Sequence, residues 1–201
     1  MRNLQEQQVF FTRGVRDDNT ISITKENICD VAELQSNIEE ADGRIVLHAV
    51  HAASTGADRI VIESPDTDVL VLLIHHRQSV RSKELYFLTG RDGKHDSKTR
   101  YIPVHSIYQQ LSDDQLAVLL PVYCLSGCDT TSALWGHGKK TAFCIMRQKA
   151  IYLKDLALLG STETVSQEQR NASSAFVALM YQPANNVQLF PKSSNRSCTL
   201  G

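Results

Sequence analysis

The chain has 201 residues, 42% of them hydrophobic and 21% charged, which suits a soluble domain with a sizeable core and excludes a small disulfide-stapled scaffold. A formal net charge of −1 excludes a wholly basic nucleic-acid binder, although a local basic patch remains open to a neutral chain. No apolar run reaches the roughly 18–20 residues of a membrane-spanning helix, and the start Met1-Arg2-Asn3-Leu4-Gln5-Glu6 is not a secretory signal. The expectation is therefore an intracellular protein, away from membranes, with Cys29, Cys124, Cys128, Cys144 and Cys198 as reduced thiols in its core.

Residues 1–36 are polar and weakly patterned, and only Val9-Phe10-Phe11 suggests a strand. A helix is expected over Arg44–Ala53, where Ile45, His48, Ala49 and Ala52 fall at helical spacing, and Ser54-Thr55-Gly56-Ala57-Asp58 stops it. The β-branched run Ile60-Val61-Ile62 reads as a buried strand of a mainly parallel sheet, followed by Ser64-Pro65-Asp66-Thr67-Asp68 and a helix over Val69–His76. Leu85–Leu88 and Tyr101–Val104 read as two strands forming a hairpin, joined by a loop of the basic stretch that runs from Arg77 to Arg100. Ser112-Asp113-Asp114-Gln115 has the form of a capping box opening an apolar helix over Leu116–Leu125, kinked at Pro121 and ended by Gly127. Helices are expected again over Thr141–Arg147 and Ser173–Tyr181, before a poorly ordered polar tail from Gln182 to Gly201.

The alternation of strand and helix predicts an α/β fold with a doubly wound sheet, in which ligands sit beyond the carboxyl ends of the strands. Acidic residues fall at those places. Asp66 and Asp68 follow the Ile60–Ile62 strand, Glu40 and Asp42 lie at the mouth of a helix, and Asp129 opens another turn. Carboxylates are hard oxygen ligands suited to magnesium or manganese, and two such ions can clamp the oxygens of a phosphodiester. Each acid also has a plainer explanation, because aspartate caps helices and any acid in a first turn gains from the helix dipole.

Three blocks carry a family resemblance. Glu40-Ala41-Asp42, Ser64-Pro65-Asp66-Thr67-Asp68 and Leu125-Ser126-Gly127-Cys128-Asp129 together resemble, in order, the acidic elements of the PIN-like domain of the flap endonuclease (XPG) superfamily. Gly136-His137-Gly138-Lys139-Lys140-Thr141-Ala142 is similar to that family's glycine-rich DNA-binding turn, whose backbone N–H groups suit anions. The fuller string also resembles a group of animal PIN-like proteins, some derived from mobile elements, with Gly43 where that group carries a threonine.

The resemblance implies a PIN-like domain over 37–158, preceded by a partial N-terminal segment (1–36) and followed by a helix and tail (159–201). It implies a metal-dependent nuclease hydrolysing nucleic acid, DNA rather than RNA, in the nucleus. Glu40, Asp42, Asp66, Asp68 and Asp129 would hold two magnesium or manganese ions, with Gly136, Gly138, Lys139 and Lys140 against phosphate. The family also draws acids from an N-terminal strand, and none of Asp17, Asp18 and Asp30 sits in a convincing apolar strand followed by the expected pattern. The sheet is therefore expected to lack its first strand, and the alternative reading is a catalytically inactive remnant that binds nucleic acid or protein.

Other groups compete for attention. His75-His76, His48 with His51, and Cys124 with Cys128 and His137 are zinc-type donors, but without a recognised pair of ligand knuckles they read as ordinary core or surface residues. Trp135 and Phe143 could stack on bases, although aromatic residues beside a helix start are more often packing anchors.

Overall fold

In a computed structural model, residues 8–12, 19–38, 40–90, 99–129 and 131–182 are described. The expected polar tail beyond Gln182, Asp17 and Asp18, and Arg91, Lys94 and Lys98 of the basic stretch lie outside them. The fold is α/β, and the chain divides into two units, Met1–Tyr108 and Gln109–Gly201.

The first unit opens with an antiparallel sheet of β1 (Val9–Thr12), β2 (Thr20–Ile23) and β3 (Ile28–Asp30), in that order. Only β1 has a counterpart in the sequence reading. The reason is visible in β2, where the buried positions are the polar ones: Thr20 and Ser22 face inward, while Ile21 and Ile23 are half-buried. A hydrophobic alternation inverted in this way gives no strand signal. The buried hydroxyls are satisfied instead by hydrogen bonds. Thr20 donates to Leu34 O at 3.2 Å and meets the Thr12 hydroxyl at 2.8 Å, and Ser22 accepts from Gln8 Nε2 at 2.6 Å.

A short 3-10 turn at Ala32–Leu34 buries Leu34 and leads to α1 (Ala41–Ser54). That helix ends in a Schellman arrangement. Gly56, at φ +97°, occupies the left-handed position, with Gly56 N–H donating to Ala53 O and Ala57 N–H to Ala52 O. The chain then enters β4 (Arg59–Glu63), crosses through α2 (Thr67–His75) to β5 (Glu84–Thr89), and returns as β6 (Arg100–Pro103).

The order of this second sheet is β4-β5-β6, with β4 and β5 parallel and β5 and β6 antiparallel, so it holds one pairing of each kind. The hairpin reading of the last two strands matches, except that Val104 opens α3 (Val104–Gln109) and is fully buried there. Ile60, Val69, Leu73, Leu85 and Phe87 form the centre of the unit, and α1 packs on both β4 and α2. Arg77 closes the turn between α2 and β5 by donating to Val80 O and, at 2.6 Å, to Ser82 O. One member of the basic stretch is thereby committed to the fold.

The second unit is helical. The capping box is present at α4 (Asp113–Leu125), where Ser112 Oγ accepts from Gln115 N–H and Gln115 Oε1 accepts from Ser112 N–H. Pro121 sits buried inside the helix and leaves the Ala117 carbonyl without its helical donor. Then follow α5 (Lys139–Lys149), a 3-10 segment at Ala150–Leu158, and α6 (Gln167–Tyr181). Helix α6 starts six residues before the expected Ser173, at a second capping box formed by Ser166 and Gln169. Val118, Met146, Leu153, Leu156 and Phe176 fill the core between these helices.

Candidate functional site

Four acidic residues of the first unit lie at the starts of two helices that pack together, α1 and α2. The tight Thr55–Asp58 turn joins the end of α1 to the start of β4, and the two elements pack together, so α1 runs back along β4. A 14-residue helix spans about 21 Å and a five-residue strand about 16 Å, so α1 is long enough to run the length of β4. Glu40 is the N-cap of α1 and Asp42 lies in its first turn. Asp66 is the N-cap of α2 and Asp68 lies in its first turn, directly beyond the carboxyl end of β4.

The junction between β4 and α2 is built in detail. Ser64 is buried, its N–H donates to Leu88 O at 3.2 Å, and its Oγ accepts from Asp66 N–H at 3.1 Å. This fixes the peptide ahead of the helix. Asp66 Oδ1 in turn accepts from Asp68 N–H at 2.9 Å, satisfying a first-turn N–H that has no acceptor within the helix. Asp66 is exposed, Asp68 is half-buried, and the fully buried Val69 anchors the helix start.

At α1 the arrangement differs. Glu40 makes no side-chain capping bond. The start of α1 is held instead by Arg44, whose Nε donates to Ile38 O, and by the Ile38 side chain lying over Gly43. A Cβ at Gly43 would stand 2.7 Å from Ile38 Cγ2, so glycine at this position makes room for that side chain.

Asp129 belongs to the second unit and lies exposed in a tight turn between Cys128 and Thr131, which exchange backbone hydrogen bonds at 3.0 and 3.1 Å. Gly127, at φ +105°, leads into this turn, and a Cβ there would lie 2.5 Å from Ala133 Cα. Only glycine fits. Thr131 Oγ1 donates to Cys124 O at 2.5 Å, fastening the turn to the end of α4.

The glycine-lysine turn follows. Gly136 has φ +75° and Gly138 is the N-cap of α5. Lys139 and Lys140 have different surroundings. Lys139 Nζ donates to Tyr123 O at 2.7 Å and to Gly127 O, and lies 3.3 Å from the centre of the Tyr123 ring. Its ammonium ties the end of α4 to the start of α5. Lys140 is exposed. Trp135 is 88% exposed, so it is not a packing anchor, and Phe143 is half-buried.

The zinc-type donors have structural employment. His48 Nε2 lies 2.7 Å from Thr12 Oγ1. Since Thr20 gives its proton to Leu34 O, Thr12 donates to Thr20 and accepts from His48 Nε2–H. Burial lowers the His48 pKa below its ordinary value, helped by nearby His51 and Arg44. Burial also lowers His75 and His76, whose rings meet edge to face at 4.8 Å. His51 meets Phe10 and His137 meets Tyr181 in the same manner. Cys29 is exposed, and Cys124, Cys128 and Cys144 are half-buried, so the expected core thiols are not in the core; Cys198 lies outside the described residues.

Among the described residues, no three His, Cys, Asp or Glu side chains stand close enough to hold a metal ion. The donor chemistry of Glu40, Asp42, Asp66 and Asp68 nevertheless fits a hard divalent cation, being carboxylate throughout. Ser64 and Thr131 were missed as supporting residues by the sequence reading. Ser64 leaves a trace in the Ser-Pro-Asp order, in which a hydroxyl precedes the N-cap by two residues.

No protein-family model, curated protein or solved structure matches this chain.

Proposed function

We propose that the chain carries a PIN-like, metal-dependent nuclease domain that hydrolyses phosphodiesters of nucleic acid, DNA in preference to RNA, in the nucleus. What supports this reading most is that two helices packed together, α1 and α2, each start with two acids, Glu40 with Asp42 and Asp66 with Asp68, the second pair directly beyond the carboxyl end of a strand in a parallel pairing. Ligand sites of α/β sheets lie at such ends.

Magnesium or manganese, when bound, would supply electrophilic activation of water and neutralise charge on the phosphodiester. Glu40, Asp42, Asp66 and Asp68 would hold it directly or through water. Ser64 would keep Asp66 in place through the backbone, and the helix N-termini would temper the mutual repulsion of the carboxylates. Asp129 enters the ligand set through the sequence resemblance alone.

The test is calorimetric titration of Mn²⁺ into the wild-type chain and into an Asp66→Asn, Asp68→Asn variant. Asparagine keeps the cap that Asp66 provides, whereas alanine would remove cap and ligand together. Binding and metal-dependent cleavage of nucleic acid are expected in the wild type and lost in the variant. Equal manganese binding by both would remove the assignment.

A second reading, a catalytically inactive nucleic-acid-binding remnant, is favoured by the 88% exposure of Trp135 beside Gly136 and near Lys140. An exposed indole offers a stacking face and a lysine offers charge. This reading expects salt-sensitive binding without turnover, weakened by Trp135→Ala and Lys140→Ala.

A further inference from the structure

The β4-β5-β6 sheet ends on β4, which pairs with β5 on one side and, among the described residues, with no strand on the other. Edge strands normally carry devices against further pairing: proline, lysine, a bulge, or extreme shortness. The opposite edge, β6, has Pro103, whereas β4 has no proline or lysine, and its two charges, Arg59 and Glu63, are of opposite sign. Its sequence Arg59-Ile60-Val61-Ile62-Glu63 is that of an interior strand, with a β-branched centre. The face bearing Arg59, Val61 and Glu63 continues through Tyr86 and Leu88 to Tyr101, and Val61 and Tyr101 are 44% and 61% exposed.

We propose that β4 pairs edge to edge and antiparallel with β4 of a second copy of this chain, about a two-fold axis through Val61. The occupant is specified by charge. In that register Val61 faces its own copy, Ile60 faces Ile62, and Arg59 faces Glu63 at both ends of the strand. Residues directly opposite in an antiparallel pair share one face, so both ion pairs form on the face that also carries Val61. The strand is complementary to itself in the one direction that a two-fold axis permits. Arg59 already donates through Nε to Glu84, its neighbour across β5, while 70% of its side chain remains exposed. A guanidinium has five donors, so one bond to Glu84 leaves N–H groups for Glu63 of the second copy. The four-residue β1, which also ends a sheet, has Val9 opposite Thr12 when reversed on itself and gains no ion pair.

Light scattering on the eluting whole chain, from micromolar to near-millimolar concentration, tests the proposal. The mass is expected to rise from 22.4 kDa towards twice that value as concentration increases. Glu63→Arg places arginine opposite Arg59 at both ends, and is expected to raise the dissociation constant at least about tenfold. Arg59→Glu combined with Glu84→Arg keeps the ion pair within the chain in reversed sense and places glutamate opposite Glu63, weakening self-association similarly. An equimolar mixture of these two proteins restores both cross-chain pairs and is expected to dimerise. Circular dichroism confirms that each variant is folded. A wild type that stays monomeric throughout would overturn the proposal and leave the edge to a strand of another protein. A Glu63→Arg protein that dimerises as well as the wild type would overturn it too.

Discussion

Replacing Gly127 by alanine is expected to destabilise the second unit by about 2–4 kcal/mol, the sum of two effects that the structure separates. The first is backbone strain: φ is +105° at this residue, and holding a non-glycine residue in a sparsely populated region costs about 1–3 kcal/mol. The second is collision. The new Cβ would lie 2.5 Å from Ala133 Cα and 2.9 Å from Ala133 N, and these backbone atoms cannot rotate away as a side-chain tip could. Such overpacking adds about 1–3 kcal/mol, discounted here because relaxation of the loop relieves part of both effects. Gly136 supplies the internal control, having φ +75° but no atom within 4 Å of the place a Cβ would take. Gly136→Ala should therefore show the strain alone, about 1 kcal/mol. Urea unfolding followed by circular dichroism measures both, with the slope of each transition checked against the wild type. Equal losses from the two substitutions would refute the claim that Ala133 closes over Gly127.

Lys139→Met should cost about 2 kcal/mol in the same assay, because it removes a charged donor from two carbonyls and an ammonium from the face of Tyr123 while keeping the aliphatic stem; Lys140→Met should leave the urea midpoint unchanged. Acidification should weaken the first unit. His48, His75 and His76 are all lowered from 6.5 by burial, so the unfolded chain takes up protons before the folded one, and stability present above pH 6.5 is lost as pH falls below it towards the lower folded values. The urea midpoint should be level above about pH 7.5 and fall as the pH drops below about 6.5, and His48→Gln, which keeps a donor for Thr12, should shrink the fall. A midpoint independent of pH over that range would count against burial of neutral imidazoles.

Where hydrophobic pattern and folded environment agree, the sequence is readable. The strand at Ile60–Ile62 extends by one residue at each end, and the Ser112 capping box starts its helix where the side chains require. The hairpin of β5 and β6 follows from two short apolar runs. Reading fails where burial and polarity part company. Thr20 and Ser22 face inward because hydroxyls can be satisfied by Leu34 O, Thr12 and Gln8, partners distant in sequence and invisible to periodicity. Lys139 illustrates the same limit at the candidate site. As a letter in a glycine-lysine turn it stands for phosphate contact, yet its ammonium lies among the carbonyls of Tyr123 and Gly127. The acids at the two helix starts were legible as helix-start residues. Which end of the sheet the start of α1 faces depends on the direction of α1 along β4, which only the fold specifies.

Trp135 is the sole tryptophan in the sequence, and it stands almost fully in solvent. Indole emission from the whole protein is therefore the signal of a single loop, uncontaminated by the core. A ligand, nucleotide or protein that settles against the turn before α5 would shift or quench that light, whereas the first unit, which holds the acids of the two helix starts, has no indole of its own to report. The protein thus carries its own optical label at one of its two candidate surfaces, and titrations can tell the surfaces apart without any dye.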